Sequence, residues 1–266
     1  MMKKWCAFLL AAAVSMPGMM AYADYSIKNS EGKTMHEKIV QTAGRDVLGQ
    51  FAPEFAKYND DILFGEVWNK QDALGTREKS MITVAGLMGL GITDNSLKYH
   101  ITNAKNKGVT KAEMVDEITQ LGFYLGWPKA WAVFPLVKGV YENDMSDDRP
   151  LAETKTTPME RQTAGRELLG SLAPEFARYN DDILFGEVWA RNKVLSPHDR
   201  SMITIAGLMG ANILDNSFKA HLRMGKAHGI TKDEVVDEIT QLAFYTGWPK
   251  AWAAFGMAKE VYGIEK

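Results

Sequence analysis

The chain of 266 residues has one cysteine, Cys6, and no uninterrupted apolar run of about 18 residues, the length a membrane-spanning helix needs. It has no excess of one charge: 31 Lys and Arg stand against 33 Asp and Glu, a formal charge of −2. A nucleic-acid binder would usually show a clustered basic excess, so that class of partner is not expected. Low-complexity tracts of the kind that stay disordered are missing. There is no His-x-x-x-His, no histidine–carboxylate spacing suited to a metal, no Gly-rich phosphate loop and no nucleophile-elbow pattern. What remains is an ordinary globular composition, 46% hydrophobic and 24% charged, sufficient for a substantial core.

The N-terminus has a distinct character. Lys3 and Lys4 precede a short apolar stretch from Trp5 to Val14, and Ala21-Tyr22-Ala23 forms an A-x-A site before Asp24. This pattern predicts a secretory signal peptide over 1–23 and a periplasmic or secreted protein, with no membrane anchor after cleavage. Cys6 lies inside the signal, so the exported chain is expected to have no thiol. Disulfides, thiol redox chemistry and cysteine metal ligation are then closed to it.

Residues 41–141 match residues 162–262 at a constant offset of 121, with 64 identities over 101 positions and no gap. The run Tyr58-Asn59-Asp60-Asp61-Ile62-Leu63-Phe64-Gly65-Glu66-Val67-Trp68 recurs unchanged from Tyr179 to Trp189. This is a tandem duplication, read here as domains over 36–142 and 161–263. The stretch 143–160 between them, with Asp144, Asp147, Asp148, Pro150 and Pro158, reads as a polar linker.

Within each repeat the apolar spacing is helical and strand-type alternation is not sustained, so the expected fold class is all-α, about six helices per unit. Pro53 and Pro174 suit a first helical turn. Ser196-Pro197-His198-Asp199 reads as a helix start, and Thr110-x-x-Glu113 and Thr231-x-x-Glu234 read as capping boxes. Gly108 and Gly229 fit helix ends just before those boxes. Met81 to Leu90 is apolar all round, which predicts a buried helix whose Gly86 and Gly89 permit close approach of another helix. Trp68, Tyr124, Trp127 and Trp131, with Trp189, Tyr245, Trp248 and Trp252, are most simply core residues, some of which could wall a pocket.

Among five histidines only His100 and His221 occupy equivalent positions. An imidazole titrates near neutrality and suits general acid–base work, although a lone histidine often sits hydrogen-bonded between helices. Glu66 and Glu187, each set in Phe-Gly-Glu-Val-Trp, are either exposed at a helix end or desolvated with a raised pKa. Lys79 and Arg200 precede the serines that open the apolar helix, where a cation either anchors a substrate carboxylate or is a solvated surface charge.

Gly186-Glu187-Val188-Trp189, Asp199-Arg200-Ser201-Met202-Ile203-Thr204, His221, Gly229-Ile230-Thr231 and Tyr245-Thr246-Gly247-Trp248-Pro249-Lys250-Ala251 together resemble the carboxymuconolactone decarboxylase family. The first repeat carries the same series through Glu66, Ser80, His100, Gly108 and Tyr124 to Ala130. The resemblance implies two tandem alkylhydroperoxidase D-like helical domains that associate further, as a homo-oligomer such as a trimer. The thiol-redox branch of that family places Cys-x-x-Cys before the histidine. The matching positions here are Thr93 and Ser96, and Leu214 and Ser217, so that cycle has no thiols to run on. The Gly-Glu-Val-Trp motif instead looks like the γ-carboxymuconolactone decarboxylase branch. This implies a decarboxylase that needs no cofactor and no metal, acting on a small anionic lactone. By the same resemblance His100 and His221 would be acid–base groups oriented by Glu66 and Glu187. Lys79 and Arg200 would anchor substrate, with Trp68 and Trp189 beside it. A binding protein that kept the pocket and lost the chemistry is the alternative.

Overall fold

In the computed structural model the described residues are 38–142 and 163–263, together with the backbone of two short strands; the segments 1–23 and 143–160, expected as a signal peptide and a linker, lie outside them. The strands, β1 (Ile27–Lys28) and β2 (Thr34–Met35), form one antiparallel pair in which Ile27 faces Met35. Everything else described is helical or connecting chain. The first repeat contains α1 (Ala43–Leu48), α2 (Pro53–Lys57), a π-helix π1 (Tyr58–Val67), α3 (Thr76–Leu90), α4 (Asn95–Asn106), α5 (Lys111–Leu125) and α6 (Trp127–Tyr141). The second repeats the series as α7 (Ala164–Leu169), α8 (Pro174–Arg178), π2 (Tyr179–Val188), α9 (Pro197–Gly210), α10 (Asn216–Ala227), α11 (Lys232–Thr246) and α12 (Trp248–Tyr262). The fold is all-α in two similar halves.

Local chemistry sets the helix ends. The Thr110 hydroxyl accepts the Glu113 amide at 3.2 Å while the Glu113 carboxylate accepts the Thr110 amide at 2.8 Å, and Thr231 and Glu234 do the same. Such reciprocal caps satisfy amides that the first helical turn leaves open. Ser196 caps α9 by accepting the Asp199 amide at 3.0 Å, with Pro197 in the first turn. Where the chain leaves α3 and α9 it turns through the left-handed region, at Gly91 (φ +83°) and Asn212 (φ +61°). The second repeat has replaced a glycine by asparagine, which tolerates that conformation better than other side chains do.

The π-helices are less legible in the sequence. In each, the last indole residue donates its amide five residues back, Trp68 to the Leu63 carbonyl and Trp189 to Leu184, both at 2.9 Å. Asp60, buried in π1, reaches back to cap α1 by accepting the Gly44 and Arg45 amides, each at 2.9 Å; Asp181 does the same for Gly165 and Arg166. Burial alone would raise the Asp60 pKa. Hydrogen bonds from Asn59 and from those amides outweigh it and hold the carboxyl below its ordinary value.

The two halves join along α3 and α9, the most extensively packed helix pair in the molecule. Every residue from Lys79 to Gly89 is buried, as is every residue from Arg200 to Gly210. Close crossing depends on glycine. A Cβ on Gly89 would run into the Gly207 carbonyl and come within 2.9 Å of the Ala211 amide nitrogen, and one on Gly210 would meet the Gly86 carbonyl. Met81, Ile82, Val84 and Met88 fill the seam with Met202, Ile203, Ile205 and Met209, each no more than 2% exposed. Burying each of the larger of these side chains contributes about 1.5–3 kcal/mol.

The aromatic expectation needs correction. Trp68 and Trp189 are core, but Trp131 is 74% and Trp252 73% exposed, and Trp127 and Trp248 are more than half exposed. The reason is helix geometry: α6 buries Ala130, Val133, Val137 and Tyr141, and α12 buries Ala251, Ala254 and Ala258. The tryptophans fall at the edge of those faces and beyond it, toward solvent.

Candidate functional site

Each half holds its histidine inside an aromatic cluster that needs both repeats. His100, on α4, packs edge-on against Tyr245 of α11, with ring centroids 5.1 Å apart at 87°. The Trp68 indole N–H donates to the Tyr245 hydroxyl at 2.9 Å. In the other half His221, on α10, meets Tyr124 of α5 at 5.0 Å and 83°, and the Trp189 indole donates to the Tyr124 hydroxyl at 2.9 Å. Histidine and tryptophan come from one repeat and tyrosine from the other. Each imidazole retains 8% exposure and each tyrosine is partly accessible, so both clusters reach the surface.

Burial pushes both imidazoles down to about 4, so they are neutral at physiological pH. The Nδ1 atom of each is buried without a hydrogen-bond partner among the described residues. An orphaned polar atom of this kind is costly unless something else meets it. Burial also raises both tyrosine phenols, against the opposing hydrogen bond from the indole, so each hydroxyl keeps its proton. The indole uses an acceptor lone pair of the phenol oxygen and leaves that proton free to donate.

The other residues singled out in the sequence sit elsewhere. Glu66 and Glu187 are exposed, the first of the two settings open to them. Lys79 and Arg200 are fully buried, and protein groups meet the Lys79 ammonium and both terminal nitrogens of Arg200, though not Arg200 Nε. Lys79 Nζ donates to the Val67 carbonyl at 2.7 Å and the Lys70 carbonyl at 2.5 Å, and pairs with Asp237 of the other repeat at 3.2 Å. Arg200 pairs with Asp116 across the same seam, donates to Gln120 Oε1 at 2.6 Å and to the Arg191 carbonyl at 2.8 Å. Lys79 holds the end of π1 and Arg200 the chain three residues beyond π2, next to the tryptophan in each case, against the opposite repeat. Gln120 and Gln241 add bonds to the Arg200 and Lys79 carbonyls at 3.1 and 2.9 Å.

One pair of buried acids escapes the sequence reading. Glu117 and Glu238 are fully buried, and neither carboxylate oxygen of either has a hydrogen-bond partner among the described residues. Burial pushes both well above the usual carboxylate range, Arg77 opposing it at Glu117. The signal was present: Met114, Glu117, Ile118 and Leu121 lie at helical spacing on one buried stripe. The two clusters also differ. Tyr99 stands edge-on to His100 at 5.3 Å, where the second repeat has Ala220. His228 lies 5.8 Å from Trp189 with its Nδ1 2.8 Å from Ser201 Oγ, where the first repeat has Lys107.

Among the described residues no group of three His, Cys, Asp or Glu side chains is arranged to hold a metal ion, and no helix is long and apolar enough to cross a membrane. Compared with known proteins, the chain matches the profile of the Carboxymuconolactone decarboxylase family twice, over residues 53–139 and 174–260. It is 32% identical to the 4-carboxymuconolactone decarboxylase of Acinetobacter baylyi over 122 residues, which are 45% of this chain and 90% of that protein. That relative therefore corresponds in length to one repeat.

Proposed function

The chain belongs to the carboxymuconolactone decarboxylase family, and from that premise we propose that it is a carboxy-lyase for a small carboxylated lactone of the 4-carboxymuconolactone type, working without a cofactor. The observation that carries the reading is the duplicated imidazole, neutral at working pH, with an orphaned Nδ1 and a tyrosine ring of the other repeat packed against it. In such a substrate the C–CO₂⁻ bond breaks and its electron pair moves through the ring double bond onto the lactone carbonyl. Carbon dioxide leaves, and the resulting dienolate takes one proton on carbon to give the enol-lactone. The electron sink is in the substrate. The protein supplies orientation, a low-dielectric enclosure and a proton path. A neutral imidazole can pass one proton to carbon while taking another from water, and His100 and His221 are assigned that role.

Turnover of 4-carboxymuconolactone by residues 24–266, followed as CO₂ release, tests the reading. The pair His100→Gln and His221→Gln should lower kcat by about 10²–10⁴-fold. Full activity in that variant overturns the assignment of the histidines, and an inactive wild type removes this substrate.

Two further parts of the proposal concern the setting. Phe51 (89% exposed) and Trp131 (74%) in the first repeat, and Leu172 (81%) and Trp252 (73%) in the second, are large apolar side chains at solvent. Their recurrence in both halves supports burial against further copies of the chain, as a homo-oligomer. Light scattering on Trp131→Glu with Trp252→Glu, expected to give smaller particles, tests this. The basic-then-apolar start and A-x-A site support export, which the mass of the protein recovered from the cell envelope would check.

A further inference from the structure

We propose that Tyr124 and Tyr245 are catalytic hydrogen-bond donors to the oxyanion of the reaction, each serving the histidine of the opposite repeat. This rests on the decarboxylase reading of the same clusters.

Each tyrosine oxygen is an acceptor whose own proton is uncommitted. Tyr245 accepts the Trp68 indole N–H and Tyr124 accepts that of Trp189, both at 2.9 Å. Neither hydroxyl donates to another protein atom in the hydrogen bonds of the described residues, so each has a proton without an assigned acceptor. The indole fixes the direction of the phenol and, by donating to its oxygen, stabilises negative charge that builds there. The tryptophan is itself held. Its backbone ends the π-helix, whose last carbonyls are gripped by Lys79 in one half; in the other, Arg200 holds the Arg191 carbonyl just beyond the π-helix. A donor whose position is set by three successive contacts needs little reorganisation when charge develops, which is where preorganised donors gain most of their effect.

Each tyrosine is also adjacent to a histidine. Each tyrosine ring stands almost perpendicular to an imidazole at 5.0–5.1 Å between centroids. A planar lactone lying against that corner can present its carbonyl oxygen to the phenol and its ring carbon to the imidazole. Loss of CO₂ moves an electron pair onto the carbonyl oxygen, and the phenol O–H is the group placed to receive it. Burial keeps the phenol protonated, so it acts as a donor and is not consumed. Because α5 and α11 cross the seam between repeats, each tyrosine belongs functionally to the histidine of the other repeat.

The test combines turnover with binding of a coloured oxyanion. Tyr124→Phe with Tyr245→Phe should lower kcat on 4-carboxymuconolactone on the order of 10²–10³-fold. Pairwise variants read the crossing. His100→Gln with Tyr245→Phe should fall no further than His100→Gln alone, whereas His100→Gln with Tyr124→Phe should lose what remains. A tyrosine whose loss follows the histidine of its own repeat overturns the proposal, as does full activity of the double Phe variant. If the hydroxyl served only to satisfy the indole, adding Trp68→Phe and Trp189→Phe to the double Phe variant would restore activity, and that result also overturns it. The second readout does not need turnover. The probe 4-hydroxy-3-nitrobenzoate absorbs visibly as its phenolate, and it should bind wild type in that form and at least tenfold more weakly to the double Phe variant. Tyrosine-dependent phenolate binding by a wild type that releases no CO₂ would keep the donor and discard the decarboxylase reading. Equal binding by both proteins, or binding by neither together with no turnover, would discard the donor.

Discussion

Lys79 and Asp237 form an ion pair at 3.2 Å in which both side chains are almost wholly buried, although one belongs to each repeat. Burial lowers the lysine pKa and the facing aspartate opposes that shift. Arg200 and Asp116 make the equivalent contact in the other direction. These pairs join the ends of the π-helices to the helices that carry the tyrosines. They therefore link assembly of the two halves to the geometry of both clusters.

Removing one partner of such a pair leaves the other charge buried without compensation. Asp237→Asn should destabilise the protein by about 3–5 kcal/mol, read from the denaturant midpoint. The double variant Lys79→Met with Asp237→Leu should lose less than Asp237→Asn does, because neither partner of this pair is left as an uncompensated charge. A double variant as unstable as the single one would mean that the pair is not what holds the seam.

Acid should unfold the protein through its histidines. An unfolded imidazole takes up a proton below about pH 6.5, whereas His100 and His221 resist it until about pH 4. Between those values the unfolded state binds more protons, so stability falls as pH drops through that window. The His100→Gln and His221→Gln variant should have a flatter dependence of Tm on pH from 6.5 to 4. An unchanged slope would place the acid sensitivity elsewhere.

Glu117 and Glu238 have the opposite sign. Their raised pKa values in the fold mean that their contribution is complete below the ordinary carboxylate pKa and is lost as pH rises. Glutamine keeps the shape and cannot ionise. Glu117→Gln should therefore gain stability relative to wild type as pH goes from 5 to 8. A gap in Tm that stays constant over this range would show that the carboxyl does not titrate there.

Glycine at the helix crossing is a packing requirement, whereas at Gly139 of α6 it is not. Gly89→Ala would press a methyl group into the backbone of α9, which cannot yield as a flexible side chain could. It should cost about 1–3 kcal/mol despite the better helix propensity of alanine. Gly139→Ala, on α6 with no atom within 4 Å of the added Cβ, should be neutral or stabilising by up to about 1 kcal/mol. The two Tm shifts should have opposite signs.

The rims of the clusters should differ in the size of substrate they accept. Tyr99, whose hydroxyl accepts from Gln41 at 3.3 Å, stands against His100, and Ala220 leaves the corresponding side of His221 open. In a His221→Gln background, which leaves one site, Tyr99→Ala should raise kcat/KM for a lactone bearing a longer side chain relative to the parent substrate. No change in that ratio would remove Tyr99 from the wall.

Much of this was readable before any coordinates. A gap-free duplication, helical spacing without alternation, and caps made from Thr110, Glu113 and Ser196 are local properties, each decided within a few residues. Equivalent histidines at 100 and 221 stood out for the same reason. The sequence could not separate an exposed Glu66 from a desolvated one, nor an anchoring Lys79 from a solvated one. Those outcomes depend on what packs over the residue. Lys79 took neither of its expected settings, because an aspartate of the other repeat and two carbonyls close around it.

By itself, then, the sequence determined that this is a doubled helical protein whose described part contains no thiol, and that it carries a family's motifs twice. Only the tertiary structure decided that α3 and α9 cross closely enough to bring α5 and α11 over the seam. Capping and amphipathic periodicity act over one or two turns. By contrast, the bond from Trp68 to Tyr245 joins residues that neither repeat could bring together alone, so it exists only after the two halves have packed.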